Sequence, residues 1–277
     1  MSFRSSQPLP GVENICIHEP WKLAVAPFQV SPRTYYAAGQ TWVGVYLIDT
    51  GDGLLLIDTA ISESLYLLID SIYRLGFSPQ DIKNILLSHA HWDHIGGAAA
   101  LKELTGAKIW MSEEDARFYR ECPEETMQLT KDGHCQWFEP DCFYDEKKPV
   151  IQGEVSIRTM LTPGHTPGCT SFFWKEAVKG GNRDYLVGMH GGVGANTMSD
   201  EYYASSRYLK PELRARFIQD REKIRQIPVD ICLPSHPNQI EIMDRRGTYT
   251  DETQPYADPD VWKCFIDQRV SIAEKLQ

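Results

Sequence analysis

The segment SHAHWDHIGG places three histidines and one aspartate within six residues: His89, His91, Asp93 and His94. Imidazole and carboxylate groups are the ligands expected for zinc, and a zinc site that performs chemistry keeps one position open for water. In an extended chain, residues two apart point the same way, so His89, His91 and Asp93 can converge from one strand end. A solvated turn gives no reason for this spacing, which therefore favours a metal site.

One such cluster cannot supply the ligands of two complete metal sites. Two further histidines follow predicted strands: His165 in LTPGHTPG, after a strand that ends at residue 161, and His236 in ICLPSHPNQ, after a strand at 230–233. Both lie at rigid exits from a strand, where a ligand would be held in place. We therefore expect these two histidines to complete the site.

The elements that must hold these residues alternate along the chain. The segment WVGVYLIDTGDGLLLIDTA predicts two antiparallel strands joined at an Asp-Gly turn. Ser62 is the expected N-cap of the next helix, Gly76 its C-terminal stop, and Ser112 opens a capping box. Helices are predicted at 62–75, 96–104, from 112 onward, at 211–226 and at 259–276, and strands at 84–87, 108–111, 150–161, 170–174, 185–187 and 230–233.

This order of elements favours an α/β protein in which two sheets form a sandwich with helices on the outer faces, rather than one doubly wound sheet. The length of 277 residues is compatible with one domain over residues 1–277. The net charge of −10 and the absence of any basic run argue against nucleic acid as a partner. The apolar runs are far shorter than the roughly 20 residues that cross a bilayer, so we expect no membrane span.

The seven cysteines are scattered and form no C-x-x-C pair, which indicates reduced thiols. The first ten residues lack the apolar core of an export signal, so the chain as it stands is expected in the cytoplasm. A periplasmic or secreted location would follow if a signal peptide had been removed.

The chain resembles the metallo-β-lactamase superfamily. The signature H-x-H-x-D-H is matched at residues 89–94, and GDGLLLIDTA, TPGHTPGCTSF and LPSHP extend the likeness over nearly the whole chain. The resemblance implies a four-layer αββα sandwich with the metal site at the strand-end edge of the two sheets. It also implies two Zn²⁺ ions per chain, although other divalent ions suit a histidine-rich site. The implied ligands are His89, His91 and His165 for the first ion and Asp93, His94 and His236 for the second.

Many hydrolases of this superfamily carry an aspartate between the two metals, but the segment YLVGMHGG at residues 185–192 contains no carboxylate. An Asp-His-His second site without that acid resembles the third subclass of metallo-β-lactamases. The resemblance implies a hydrolase in which a metal-bridging hydroxide, oriented by Asp93, opens an amide or ester. The expected substrate is a small molecule with a β-lactam ring, and the expected role is antibiotic resistance.

Two other functions stay open: a housekeeping hydrolase of lactones, thioesters or other small acyl compounds, and a non-catalytic metal-binding sensor. His190 is a candidate for binding substrate, with an extra metal ligand and a simple loop contact as the alternatives. Recognition of an anionic substrate also needs a local positive field, which the metals and Arg33 or Arg207 could supply. The sequence leaves the oligomeric state open.

Overall fold

The computed structural model describes residues 3–126, 135–177, 183–245, 250 and 253–276. Within these residues, two β-sheets contain seven and five strands. The first sheet consists, in spatial order, of β1 (Phe28–Gln29), β2 (Thr34–Tyr36), β3 (Tyr46–Asp49), β4 (Leu54–Ile57), β5 (Ile82–Leu86), β6 (Lys108–Met111) and β7 (Cys142–Phe143). Strands β1 to β4 pair antiparallel, and β4 to β7 pair parallel.

The second sheet has the spatial order β12-β11-β10-β9-β8. Its strands are β8 (Val150–Gln152), β9 (Val155–Leu161), β10 (Thr170–Glu176), β11 (Tyr185–Met189) and β12 (Ile231–Leu233). All neighbours pair antiparallel except β11 and β12, which are parallel. Buried side chains of both sheets belong to a single hydrophobic cluster, which is the core of the sandwich.

Helices flank the two sheets. They are α1 (Val12–His18), α2 (Leu65–Arg74), α3 (Trp92–Ile95), α4 (Ala98–Thr105), α5 (Glu113–Glu121), α6 (Pro123–Thr126), α7 (Asp200–Ser205), α8 (Glu212–Gln219), α9 (Arg221–Arg225), α10 (Ile242–Arg245) and α11 (Pro259–Glu274). Helix α4 packs on β5 and β6, whereas α11 packs on β12 with α8 and α9 beside it. The predicted α/β class, with two sheets and flanking helices, is confirmed, while a single domain over residues 1–277 stays a prediction.

Most predicted elements are present, with shifted ends. Strands β3 and β4 form the expected hairpin, and Gly51 and Gly53 in its turn have φ of 76° and 80°. Gly76 ends the next helix with φ of 87°, as expected. Ser62, however, is not an N-cap: it begins a 3₁₀ turn at Ser62–Ser64, and its hydroxyl donates to the carbonyl of Gly96 over 2.9 Å.

The histidine segment differs from the expected extended path. Strand β5 ends at Leu86, and Trp92–Ile95 forms the helical turn α3, with His91 as its N-cap. Asp93 therefore reaches the other ligands from a helix, and the expectation that it converges with them from an extended strand is wrong. None of the helices in the described ranges combines the length and apolar character that a bilayer crossing requires.

Candidate metal centre

The loops that follow β5, β9 and β12, together with helix α3, bring all six predicted ligands together. The donor atoms of His89, His91 and His165 lie within 4.8 Å of one another, and so do those of His89, Asp93 and His94. The Nε2 atom of His236 lies 3.3 Å from Nε2 of His94 and 3.4 Å from Oδ2 of Asp93. These donors make two adjoining sets that meet at His89: a first set of His89, His91 and His165, and a second set of Asp93, His94 and His236.

Three of the ligand histidines have their second ring nitrogen held by a fixed acceptor. Nδ1 of His94 donates to the Asp58 carboxylate over 2.8 Å, Nδ1 of His236 to the Trp42 carbonyl over 2.8 Å, and Nδ1 of His165 to the Gly194 carbonyl over 3.0 Å. Such contacts fix the ring orientation and the tautomer, which leaves the lone pair on Nε2. Nε2 of each of these three rings is therefore the atom that can bind a metal ion.

Asp58 links the two ligand sets through Ser88. The Ser88 hydroxyl donates to Oδ2 of Asp58 over 2.7 Å, so its oxygen is left to accept from Nδ1 of His89, which lies 3.0 Å away. The same Asp58 oxygen accepts from His94. One carboxylate thus orients a histidine of each set.

The donors fit a metal ion such as zinc. Nε2 of His89 is buried and has no hydrogen-bond partner, and Nδ1 of His91 lies 2.9 Å from Nε2 of His165. Burial and the surrounding imidazoles hold the pKa of His89 and of His91 well below its usual value, and burial lowers the pKa of His165 to about 4. Neutral imidazoles that face one another with lone pairs, beside a carboxylate, are the ligand chemistry of zinc sites.

Asp115 fastens two of the ligand loops to each other. Its buried carboxylate accepts from the backbone N–H of Ala90 over 2.7 Å, from the backbone N–H of Gly168 over 2.6 Å and from the Thr166 hydroxyl over 2.8 Å. Ser112 caps α5 as predicted by accepting from the Asp115 N–H. The Asp115 side chain, which the sequence indicated only as part of that cap, spans the loops of His91 and His165.

A glycine loop after β11 lies directly against the first ligand set. A Cβ atom on Gly192 would lie 2.6 Å from Sγ of Cys169 and 3.2 Å from Cδ2 of His165. A Cβ atom on Gly194 would lie 2.5 Å from Cε1 of His165. The glycines are therefore required by close packing on His165.

A cavity of about 390 Å³ opens over the ligands. One wall is the N-terminal segment with Gln7 and Pro8, which is held in place because Ser6 and Asn238 exchange two hydrogen bonds of 3.0 and 2.8 Å. Arg269 of helix α11 contributes to another wall. Segments far apart in the sequence thus shape the space above the candidate metal ligands.

The remaining candidates lie outside this cavity lining. His190 is buried, packs on Phe217 with ring centres 5.8 Å apart and accepts from the Gly192 N–H over 3.3 Å. Its contact with substrate stays a prediction. Arg33 pairs with Glu154, and Arg207 lies 3.2 Å from Glu124. The cation in the cavity is instead Arg269, which sequence reasoning missed although it interrupts the buried stripe of a helix.

A two-sheet sandwich that gathers five histidines and an aspartate at its strand ends defines a metalloprotein of the αββα type. The sequence model of the family described as "Metallo-beta-lactamase superfamily" matches residues 43–236 of this chain. The chain belongs to this superfamily, and the resemblance inferred from the sequence is confirmed.

Solved structures with this fold resemble nearly the whole chain. BJP-1, a subclass B3 metallo-beta-lactamase of Bradyrhizobium japonicum, superposes with a TM-score of 0.80 at 28% identity, covering 93% of this chain and 95% of that chain. The FEZ-1 metallo-beta-lactamase from Legionella gormanii gives 0.79 at 25% identity, covering 91% and 95%.

Curated relatives resemble a shorter part of the sequence. The hydroxyacylglutathione hydrolase GloC of Haemophilus influenzae is 31% identical over 124 residues, covering 44% of this chain and 58% of the relative. An N-acyl homoserine lactonase of Bacillus thuringiensis is 27% identical over 165 residues, covering 50% and 60%. The chain thus spans less than two thirds of the length of each relative.

Proposed function

We propose that this chain is a dizinc hydrolase that opens β-lactam rings. The observation that carries the proposal is the mutual approach of Asp93, His94 and His236, in a chain whose segment 185–192 offers no carboxylate. This combination resembles the third subclass of metallo-β-lactamases. The similarity to a subclass B3 enzyme over 93% of the chain supports it.

The six ligands divide between two ions in this proposal: His89, His91 and His165 hold one, and Asp93, His94 and His236 hold the other. When bound, such a pair of ions supplies a hydroxide at neutral pH and polarises the carbonyl that is attacked. Asp93 lines the cavity and is 7% exposed, and its Oδ2 atom lies 3.4 Å from Nε2 of His236. Its other oxygen orients the attacking group and accepts its proton.

The proposal is tested with zinc-loaded protein and one substrate of each β-lactam class: benzylpenicillin, nitrocefin and imipenem. We expect turnover that EDTA abolishes and added zinc restores. Asp93→Asn should lose at least about a hundredfold in kcat, in line with general-base loss, while the exposed Asp52→Asn control keeps full activity. A zinc-replete protein that hydrolyses none of the three would refute the β-lactam assignment.

A second candidate function is supported by the curated relatives, whose names describe a thioester hydrolase and a lactonase. The same preparation assayed with S-lactoylglutathione and N-hexanoyl homoserine lactone separates the two. A kcat/KM for either compound above that for every β-lactam would favour the acyl hydrolase. Zinc-loaded protein without turnover of any of these substrates would favour the non-catalytic sensor.

A further inference from the structure

Helix α11 brings an arginine into the cavity over the metal ligands. Its buried stripe includes Phe265 and Ile266, and Arg269 lies four and three positions further along the helix. The guanidinium lies over the Phe265 ring at 5.6 Å, and Nη2 donates to the Gln239 carbonyl over 3.2 Å. A cation therefore lies where the helix otherwise contributes apolar packing.

The charge of Arg269 lacks a carboxylate partner among the described residues. Its Nε atom is buried without a hydrogen-bond partner. Arg207 and Arg221, in contrast, lie 3.2 Å and 2.7 Å from carboxylate oxygens of Glu124 and Asp267. Burial lowers the pKa of Arg269 to about 10, so it remains charged at neutral pH. A partly buried, unpaired guanidinium is costly unless an anion completes its contacts.

Two other charged residues of the cavity lining, Asp93 and Glu13, are acids and cannot bind an anion. Asp93 is engaged by the second ligand set, and Glu13 is an exposed residue of α1. Asn238 and Gln239 add neutral polar groups beside the arginine. In a chain with net charge −10, an unpaired cation in the cavity lining attracts an anionic ligand to this cavity.

We propose that Arg269 binds the carboxylate of the substrate and selects anionic acyl compounds over neutral ones. The planar guanidinium can hold a carboxylate through two parallel hydrogen bonds, and such charge-assisted pairs are strong. This inference rests on the proposed hydrolysis for its substrate class. The arginine that attracts the anionic substrate is then Arg269 on α11 rather than Arg33 or Arg207.

The test compares benzylpenicillin with its methyl ester, in which a neutral ester replaces the carboxylate. In Arg269→Gln we expect kcat/KM for benzylpenicillin to fall at least about tenfold, mainly through KM, as for loss of a charge-assisted hydrogen bond. The value for the ester should stay within about twofold. Arg269→Lys should recover part of the loss. Equal losses on both substrates, or no loss, would overturn the proposal.

A matched control is Arg158→Gln, because Arg158 also lies over a phenylalanine ring, that of Phe173 at 5.1 Å, and lines a different cavity. Equal zinc content and equal thermal midpoints of all variants exclude a general structural effect.

A binding measurement separates failure of this inference from failure of the proposed function. Hydrolysed benzylpenicillin carries carboxylates, and its binding does not depend on catalysis. Its Kd is measured by calorimetry on each zinc-loaded variant. We expect Kd to be at least about tenfold weaker in Arg269→Gln than in Arg158→Gln. Absence of binding to the unmutated protein, or equal Kd values, would refute the role of Arg269. Absence of turnover with this pattern of binding would refute only the hydrolysis.

Discussion

Oδ2 of Asp58 lies 2.8 Å from Nδ1 of His94, and both side chains are fully buried. Asp58 holds this position with φ of 62°, a left-handed conformation that few residues other than Gly, Asn and Asp adopt. Its carboxylate also binds both the hydroxyl and the backbone N–H of Ser88. Because Ser88 contacts His89, a change at Asp58 should reach both sets of candidate metal ligands.

Asp58→Asn keeps the backbone conformation and removes the charge. We expect metal affinity to fall about 10- to 100-fold, as for other partners of metal-bound histidines. Competition with a chromogenic chelator measures the affinity. The exposed Asp52→Asn, which loses only an ion pair with Lys83, is the control. Unchanged affinity in Asp58→Asn would show that the hydrogen bond to His94 does not support the site.

Removal of His236 should separate the two metal sites. His236 lies 3.4 Å from Asp93 and 3.3 Å from His94, and the proposed division of ligands places it with these two residues. In His236→Ala we expect zinc content to fall from about two ions to about one per chain, because a zinc site needs about four ligands. Elemental analysis after dialysis gives the ratio, with exposed His18→Ala as the control. Two retained ions would contradict the division of ligands.

Gly192 should be coupled to Cys169 through steric contact. Gly192→Ala places a methyl group 2.6 Å from Sγ of Cys169, so the glycine loop must shift. The shift disturbs the packing of this loop on His165. We expect a loss of unfolding free energy of about 1–3 kcal/mol, as for other overpacked positions.

Cys169→Ala removes that sulfur atom and should lessen the effect of the glycine substitution. A double-mutant cycle over the two positions measures the coupling by urea unfolding, with an expected value above about 0.5 kcal/mol. Additive losses would show that Sγ is not the obstacle.

His190 should make the protein less stable in acid. Burial, together with repulsion from His165 once that residue is protonated, lowers the pKa of His190 to about 3, whereas an unfolded histidine titrates near 6.5. Below about pH 6.5 the unfolded chain therefore binds a proton that the folded chain does not. The unfolding free energy then falls by up to about 1.4 kcal/mol per pH unit until about pH 3.

His190→Gln removes this titration, so its stability should depend less steeply on pH. Urea unfolding of both proteins at about pH 7 and pH 5 provides the comparison. Parallel profiles would contradict a buried neutral His190. If His190 also binds substrate, the same variant should raise KM for benzylpenicillin.

The sequence was sufficient to select the six residues that the structure brings together, because each lies in a short motif that follows a strand. The partners that hold them were less accessible. Asp58 reads as the polar end of strand β4, and Asp115 as part of a helix cap, since local patterns do not show which distant loop a carboxylate contacts. Arg269 did leave a signal, a charged residue in the apolar stripe of α11. The helical turn at Trp92–Ile95 was missed because four residues are too few to show a period.

Three residues of the cavity wall and the six candidate metal ligands come from different parts of the chain. Gln7, Pro8 and Arg269 lie near its two ends, whereas the ligands lie between residues 89 and 236 on strand-end loops. Libraries of variants restricted to Gln7, Pro8 and Arg269 can therefore search for new substrates without replacing a candidate metal ligand. The fold thus offers an engineer two adjustable segments over one fixed reaction centre.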